Sequence, residues 1–279
     1  MSAKELILVT GGTGGLGRRV VERLCRGGHR VRVTSRHSHE AAHGIEYVLS
    51  DLAKDEGVDA AVDGASVVVH CAGVGKIKED KAQAQNLVRA AKRAAVRHLL
   101  AVSVVGADRI PVRTAVDRSM FAYFASQRAK ELVVAESDVP WTNLRATQFY
   151  DGFLLVMVRG MSKLPLVPLP ADTRFQPVDA DEVADNLVEL ALGPPVGQAP
   201  DIAGPKIYDA EYLLRSYLDA VGRRRRIVRV RMPGRAAAAV RSGANLSPGL
   251  AVGVRTWEEF LAAEVASTRP RSGIRDVTR

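Results

Sequence analysis

Runs of consecutive apolar residues alternate with amphipathic stretches through the first half of the chain. The apolar runs predict strands at residues 6–9, 30–34, 45–49, 67–69, 99–103 and 141–145. The amphipathic stretches predict helices at residues 16–26, 55–62, 80–95 and 120–137. Strands without polar alternation, separated by helices, form a parallel sheet covered on both faces. The pattern therefore predicts an α/β protein with a doubly wound parallel sheet.

The second half of the chain has a less regular pattern. Three prolines, Pro165, Pro168 and Pro170, punctuate an extended stretch. After this stretch the pattern predicts helices at residues 179–192, 211–221, 233–240 and 257–265, and a strand at residues 227–230. Asp179 with Glu182 three residues later has the spacing of a capping box at a helix start. We expect a small group of helices to follow the sheet.

The net charge of +9 is carried mostly by arginine, and it includes the four-arginine run at 223–226. Aromatic residues make up only 5% of the chain and no base-reading motif occurs, so we do not favour a nucleic-acid partner. The charge instead fits a solvated basic surface or an anionic ligand such as a phosphorylated cofactor. The arginine run is either a solvated connector or a contact for an anionic partner.

Cys25 and Cys71 are the two cysteines, with neither metal-ligand spacing nor a disulfide framework. We therefore predict no metal site and a cytoplasmic location. The first strand begins at residue 6, which leaves no room for a signal peptide. No apolar stretch reaches membrane-spanning length, so no membrane partner is expected.

A glycine-rich turn, TGGTGGLG, links the first predicted strand to the first predicted helix. This order builds a dinucleotide pyrophosphate site, because the glycines admit the phosphates and the helix N-terminus offers free N–H groups. The spacing fits GxGxxG, TGxxGxxG and TGxxxGxG alike, and all three place backbone N–H groups on phosphate. The candidate residues are Thr10, Gly11, Gly12, Thr13, Gly14, Gly15, Leu16 and Gly17.

The end of the second strand indicates which dinucleotide binds. NAD sites carry an acidic residue there for the ribose 2′-hydroxyl, whereas this chain has Ser35 and Arg36. The Arg36 guanidinium can bind a 2′-phosphate through two charge-assisted hydrogen bonds, and Arg18 can flank the same group. We therefore predict NADP(H) as the cofactor.

Three further strand ends carry candidate cofactor contacts. Asp51 can accept a hydrogen bond from adenine or cap a helix, and Leu52 can pack on the adenine ring. His70 can act as a base, pack in the core or contact the ribose. The small residues after it allow close approach to the nicotinamide ribose. The full set at these positions is Asp51, Leu52, Cys71, Ala72, Gly73, Gln148 and Phe149.

Several segments together resemble the short-chain dehydrogenase/reductase superfamily, in its atypical NmrA-like NAD(P)H-binding branch. They are TGGTGGLG, VVVHCAG, NLVRAAKRAAVRHLLAVSVVGADRI, VPWTNLRATQFYD, QPVDADEVAD, GPKIYDAEYLLRSYLDAVGRRRRIVRVRMPG and RTWEEFL. The resemblance implies a Rossmann-like dinucleotide-binding domain over 1–150 and a small, partly interleaved substrate lobe over 151–266. It also favours the register of Gly11, Gly14 and Gly17. We expect the remaining tail, 267–279, to be disordered.

Oxidoreductases of this superfamily carry Tyr-x-x-x-Lys on the helix after the fifth strand, where the tyrosine protonates the substrate carbonyl. In this chain Tyr123 is followed four residues later by Gln127, and Lys130 lies on the same helix face as a candidate substitute. Ser103, at the end of the fifth strand, is a candidate proton-organising residue, although the family's residue usually lies slightly later. Tyr123 is accordingly a weakened acid, an orienting group or a packed aromatic.

The leading hypothesis is an NADPH-dependent reductase of a small, rather apolar carbonyl or enone. The first alternative is a non-catalytic, NADP(H)-sensing regulator that contacts a protein partner. The second is a non-redox enzyme on the same scaffold, such as a cyclase or dehydratase. A homodimer or a protein partner is compatible with each of these functions.

Overall fold

The computed structural model describes residues 5–40 and 44–268. Its strands are β1 Leu6–Thr10, β2 Arg30–Ser35, β3 Ile45–Leu49, β4 Val67–His70, β5 His98–Val104, β6 Trp141–Ala146, β7 Leu166–Pro170, β8 Arg174–Phe175, β9 Gly197–Gln198, β10 Tyr208–Asp209 and β11 Arg226–Val230. Its α-helices are α1 Gly15–Arg26, α2 Val58–Val62, α3 Ile77–Arg93, α4 Ala115–Ala135, α5 Leu155–Met161, α6 Ala180–Leu192, α7 Ala210–Ala220, α8 Arg235–Arg241 and α9 Trp257–Thr268. A π-helical turn, Tyr150–Leu154, precedes α5, and a 3₁₀ turn spans Pro248–Leu250.

Seven strands form a parallel central sheet in the order β3-β2-β1-β4-β5-β6-β9. Alternate residues of each strand face opposite sides, so Ile7 and Val9 pack in one core layer and Leu6 and Leu8 in the other. Helices α1 and α6 cover the first side, and α2 and α3 cover the second. This confirms the predicted doubly wound, Rossmann-like α/β sheet, with β9 as an added edge strand.

Most predicted elements of the first half agree with the structure to within a few residues. The helix predicted at 55–62 begins only at Val58, because Asp55 and Gly57 adopt left-handed backbone conformations before it. Helix α4 begins five residues earlier than predicted, since Thr114 and Asp117 form a reciprocal capping box. It is also kinked at Phe121, whose φ of −126° and ψ of 16° are not helical.

The remaining elements build a second core. Residues of α5, β7, α7 and α9 form one apolar cluster around the fully buried Trp257. Two small sheets belong to this part, parallel β7 with β11 and antiparallel β8 with β10. Helix α9 includes Ser267 and Thr268, so the tail expected from residue 267 is helical at its start. Residues 269–279 lie outside the described part of the chain.

The predicted capping box of α6 does not form. The Asp179 carboxylate caps the helix by accepting from the Asp181 amide, and not from the Glu182 amide that a capping box uses. The Glu182 carboxylate does not reach back to Asp179. It accepts instead from the amides of Val254 and Arg255, and so attaches the segment before α9 to α6. None of the helices within 5–40 and 44–268 is both long enough and apolar enough to cross a bilayer.

Candidate functional site

The glycine turn between β1 and α1 requires glycine at specific positions. Gly11 has a φ of +68°, and a Cβ there would lie 2.7 Å from the Ala72 nitrogen. A Cβ at Gly17 would lie 2.2 Å from the Gly11 oxygen, and one at Gly14 would lie 3.2 Å from the same oxygen. At Gly15 the nearest atom would be Arg19 Nη1 at 3.8 Å. A Cβ at Gly12 would also lie close, 2.8 Å from Val33 Cγ1, so the contacts disfavour only the register that uses Gly15. The register of Gly11, Gly14 and Gly17 stays a prediction.

The N-terminus of α1 is open to an anion. Gly14 is the N-cap residue, and it offers no side chain to satisfy the first N–H groups of the helix. The first turn contains no acidic residue, and Thr13, Gly14 and Gly15 are exposed. Free N–H groups at the positive end of a helix dipole attract phosphate, so this turn suits a pyrophosphate.

The end of β2 places the predicted 2′-phosphate contacts beside the glycine turn. Arg36 and Arg18 are both exposed, and within the described residues neither forms an ion pair. Ser35 is buried, and its Oγ accepts from the His37 amide and bonds His39 Nε2 at 2.9 Å. Sequence reasoning missed His39, whose ring stacks on Tyr47 at 4.8 Å. The position of these basic groups suits a phosphate.

Asp51 and Leu52 have structural contacts of their own. The Asp51 carboxylate accepts from the amides of Ala53 and Lys54, so it caps a turn and not helix α2. Leu52 is 7% exposed and packs between the sheet and α2 and α3. The structure therefore shows a core role for this leucine.

The segment after β4 borders the glycine turn. The backbone of Ala72 is so near Gly11 that it leaves no space for a Cβ there. His70 is buried and bonds Thr10 Oγ1 through Nδ1 at 2.7 Å. Burial, with the nearby Lys130 charge, lowers the pKa of His70 to about 3, so the imidazole is neutral and unsuited to act as a base. Burial raises the pKa of the Cys71 thiol to about 12.

Helix α4 carries three of the four predicted catalytic residues. Tyr123 is half-exposed on the wall of a cleft, and burial of the hydroxyl together with Asp80 raises its pKa to about 12. The Gln127 side chain is buried, with Nε2 3.8 Å from where a Cβ of Gly73 would be. Gln127 therefore lies against the segment after β4, one helical turn from Tyr123.

Lys130 lies deeper than the other two residues and does not line the cleft. It is 2% exposed, and burial lowers its pKa to about 8 against the opposing effects of Asp80, Cys71 and Glu131. The pKa values of His70 and Cys71 respond to its charge, so Lys130 lies close to the end of β4. Its role as a substitute for the family's lysine stays a prediction.

Asp80 holds together the elements behind Tyr123, a role that sequence reasoning missed. Its carboxylate accepts from the amides of Val74 and Gly75 at 2.8 and 2.9 Å. The Ser126 hydroxyl of α4 donates to the same carboxylate. A Cβ at Gly75 would lie 3.5 Å from the Tyr123 ring. Asp80 therefore fixes the loop against which Tyr123 packs.

A second buried pair joins α4 to β6. Glu131 is 4% exposed and accepts from Arg145 Nε and Nη2 at 2.7 and 2.8 Å. Burial would raise the pKa of Glu131, but the hydrogen bonds and charge of Arg145, together with hydrogen bonds from Ser103 and Arg128, hold the pKa below its usual value. This bidentate pair fixes α4 on the sheet at the height of Lys130.

A cavity of about 550 Å³ opens at the carboxyl ends of β5 and β6. Half of its lining residues are aromatic or methionine, and six of these belong to α4, α5 and the π-helical turn. The lining residues are Ser103, Val104, Met120, Phe121, Tyr123, Phe124, Ala146, Thr147, Gln148, Phe149, Phe153, Met157, Pro170, Thr173, Phe175, Met232, Val240 and Asn245. Predicted residues Ser103, Tyr123, Gln148 and Phe149 thus come together in one cleft.

Three buried polar atoms among these lining residues have no hydrogen-bond partner within the described chain. They are Thr147 Oγ1, Gln148 Oε1 and Asn245 Oδ1. Unpartnered buried polar atoms cost free energy in a stable core. Clustered around an apolar cavity, they fit a ligand that is mostly apolar and carries a few polar atoms.

A model of the family described as NAD(P)H-binding matches residues 11–190. The chain is 28% identical to ceramide reductase of Caulobacter vibrioides over 251 residues, covering 83% of this chain and 75% of that protein. It is 29% identical to (4-alkanoyl-5-oxo-2,5-dihydrofuran-3-yl)methyl phosphate reductase of Streptomyces griseus over 210 residues. That match covers 74% of this chain and 70% of the reductase. It also matches an uncharacterized protein of Mycobacterium tuberculosis at 26% identity, spanning 23% of that protein's length.

The fold is similar to that of the NADPH-dependent quinone oxidoreductase QOR2 from Escherichia coli, solved with NADPH. The TM-score is 0.76 at 17% identity, and the match covers 92% of this chain and 99% of that one. At this identity the likeness concerns the fold.

Proposed function

Because the chain belongs to the family of NAD(P)H-binding proteins, we propose that it is an NADPH-dependent reductase of a small, rather apolar carbonyl or enone. The observation that carries the proposal is the position of Tyr123. Its side chain lines the apolar cavity, while Gln127 on the same helix adjoins the segment after β4. One helix therefore borders both the substrate cavity and the strand end beside the glycine turn.

NADP(H) is the cofactor that the basic groups favour. Arg36 at the end of β2 and Arg18 after the glycine turn are exposed and unpaired within the described chain. No acidic residue stands at the end of β2 to bind a ribose 2′-hydroxyl. Two guanidinium groups beside the first turn of α1 would bind the 2′-phosphate.

Tyr123 would donate a proton to the substrate oxygen. With a pKa raised to about 12 it is protonated at neutral pH, so it is available as an acid and not as a base. Ser103, which lines the same cavity, would hold the same substrate oxygen. When NADPH is bound it supplies the hydride, and Gln127 would hold its ribose through the side-chain amide.

The relatives support a reductase without naming the substrate of this chain. Two proteins of 28% and 29% identity carry the name reductase, and the match covers at least 70% of each. The cavity wall of this chain is rich in phenylalanine and methionine, which favours an apolar substrate body.

The test is turnover of NADPH with a panel of carbonyl and enone compounds. We expect Tyr123→Phe to lower kcat by about a hundredfold, the usual contribution of a general acid, while the Kd for NADPH is unchanged. Tyr212→Phe, remote from the cavity lining, is the matched control. Equal turnover by wild type and Tyr123→Phe would refute the role of Tyr123.

The cofactor preference is tested separately by binding. We expect NADPH to bind more tightly than NADH, and Arg36→Asp to reverse this order because the carboxylate repels the phosphate and accepts from the 2′-hydroxyl. An unchanged preference in this variant would contradict the assignment of Arg36.

One observation favours the non-catalytic regulator as a second candidate. Gln127 stands where the superfamily's oxidoreductases carry lysine, and no cation lowers the pKa of Tyr123. NADPH binding without oxidation across the whole panel, together with NADP(H)-dependent capture of a protein partner, would favour the regulator. Conversion of a substrate without net oxidation of NADPH would favour the non-redox enzyme.

The cytoplasmic location and the homodimer stay predictions.

A further inference from the structure

The small sheet of β7 and β11 has one apolar face that points to solvent. The pairing sets Leu166 beside Arg226, Pro168 beside Val228 and Pro170 beside Val230. Leu166, Val228 and Val230 are 50%, 40% and 44% exposed. The alternate residues Val167 and Leu169 are buried against the core around Trp257. Because strand side chains alternate, the exposed residues share the outer face.

Unpaired basic side chains surround this outer face. Residues 163–171 and 222–235 contain no acidic residue, and the second segment contains seven arginines. The exposed cations of these segments that form no ion pair with any described residue include four in β11 or within three residues of β7 or β11. They are Lys163, Arg224, Arg226 and Arg231. We call Leu166, Pro168, Val228, Val230 and these four cations the basic-apolar face.

The basic-apolar face is continuous with the cavity. Pro170 ends β7 and Met232 follows β11, and both line the cavity wall. Phe153, also of the cavity lining, is 52% exposed, and Val156 one turn later is 66% exposed. An apolar surface therefore extends from the cavity wall onto the outside of the molecule. Apolar patches of this kind mark interaction sites.

We propose that the basic-apolar face docks on the surface of an anionic lipid bilayer. Arginines around an apolar patch match acidic headgroups around an acyl region, since each cation near an anionic bilayer adds to binding and the apolar side chains enter the interface. The sheet pairs apolar and basic positions on one face, which a solvated connector does not require. The expectation of no membrane partner rested on the lack of an apolar stretch long enough to span a bilayer, whereas this proposal concerns contact of a surface with the bilayer.

The experiment is co-sedimentation of the full chain, without cofactor or substrate, with two kinds of vesicle. One is phosphatidylcholine alone and the other contains a quarter phosphatidylglycerol. We expect binding to the anionic vesicles only. Arg226→Gln should weaken it about fivefold, the effect of one cation near such a surface. Arg26→Gln is the matched control, because this exposed arginine ends α1, at the opposite edge of the sheet from the cavity.

The apolar part is tested by Val228→Ser combined with Val230→Ser, which we expect to weaken binding about tenfold or more because both methyl groups of each valine leave the interface. Both side chains are outside the core, so the fold is retained, and thermal unfolding checks this.

Three results would overturn the proposal. The first is no difference between the two kinds of vesicle. The second is loss of binding in Arg226→Gln but not in the double valine variant, or displacement from vesicles by transfer RNA, since either indicates a polyanion. The third is a dimer in solution that the double valine variant dissociates, since a second copy then covers the face. None of these readouts uses NADPH, so they are independent of the proposed reductase.

Discussion

At the scale of single residues, the glycine turn contains positions that require glycine and positions that have room for a side chain. Gly17 packs against the Gly11 carbonyl so closely that a methyl group cannot fit, whereas the atom nearest to a Cβ at Gly15 would be Arg19 Nη1, at the ordinary contact distance of 3.8 Å. Both occur in the same motif and both are at the start of α1. Motif spacing alone cannot separate them, because the difference arises from how the helix returns onto the strand end.

We expect Gly17→Ala to abolish NADPH binding and to destabilise the fold by about 2 kcal/mol or more, since backbone must move. Gly15→Ala should bind NADPH normally. Its free energy of unfolding should rise by up to about 1 kcal/mol, because alanine favours the helix. NADPH titration and thermal unfolding of both variants check this. Similar losses in the two variants would contradict the packing argument.

Lys130 makes stability depend on pH in a predictable direction. Its pKa is lowered from 10.5 to about 8 in the folded chain. Between these pH values the unfolded chain holds a proton that the folded chain has lost, so the free energy of unfolding rises with pH. From pH 8 to 10.5 we expect the free energy of unfolding of wild type to rise by about 3 kcal/mol relative to that of Lys130→Met. Chemical denaturation across this range measures it, and parallel pH curves of the two proteins would refute it.

At the scale of elements, α4 is the helix on which the proposed chemistry depends. Asp80 of α3 attaches it to the loop at Val74 and Gly75 through the Ser126 hydroxyl. Glu131 attaches it to β6 through Arg145. These two attachments fix the height and the rotation of the helix, and with them the position of Tyr123.

We expect Asp80→Ala to destabilise the fold by about 3 kcal/mol, because two amides, a hydroxyl and the Lys130 charge lose their carboxylate. Ser126→Ala, which removes one donor, should cost about 1 kcal/mol. Asp80 also raises the pKa of Tyr123, so spectrophotometric titration of tyrosine should show a lower pKa in Asp80→Ala. A Tyr123 pKa that does not move would contradict this contact.

The sequence pattern predicted elements that depend on neighbouring residues better than features that depend on contacts between distant segments. Continuous apolar runs identified all six long strands of the sheet, and the glycine turn followed from its strand and helix. The pattern did not reveal the π-helical turn at Tyr150–Leu154 or the pairing of β7 with β11. The pairing joins segments about sixty residues apart, and Asp80 acts across a helix contact. Such features are set by tertiary packing, which local periodicity does not encode.

At the scale of the whole molecule, the net charge of +9 bears on cofactor binding. Salt weakens the attraction of exposed charges, and the Debye length is about 8 Å at physiological ionic strength. We expect added salt to weaken NADPH binding more than NADH binding, because NADPH carries the extra phosphate. The difference should vanish in a variant with Arg18→Gln and Arg36→Gln. Equal salt dependence of both cofactors in wild type would exclude a 2′-phosphate contact at these arginines.

Arg19 gives the first turn of α1 a direct connection to the substrate side. Its Nη1 donates to the Gly15 carbonyl, its Nε reaches Asp181 of α6, and its Nη2 contacts Asp151 at 2.6 Å. Asp151 belongs to the same π-helical turn as Phe153 of the cavity wall. If the start of α1 moves when a dinucleotide binds, Arg19 therefore transmits the movement to the cavity wall. The two ligands are then linked thermodynamically, so each changes the other's affinity by the same factor.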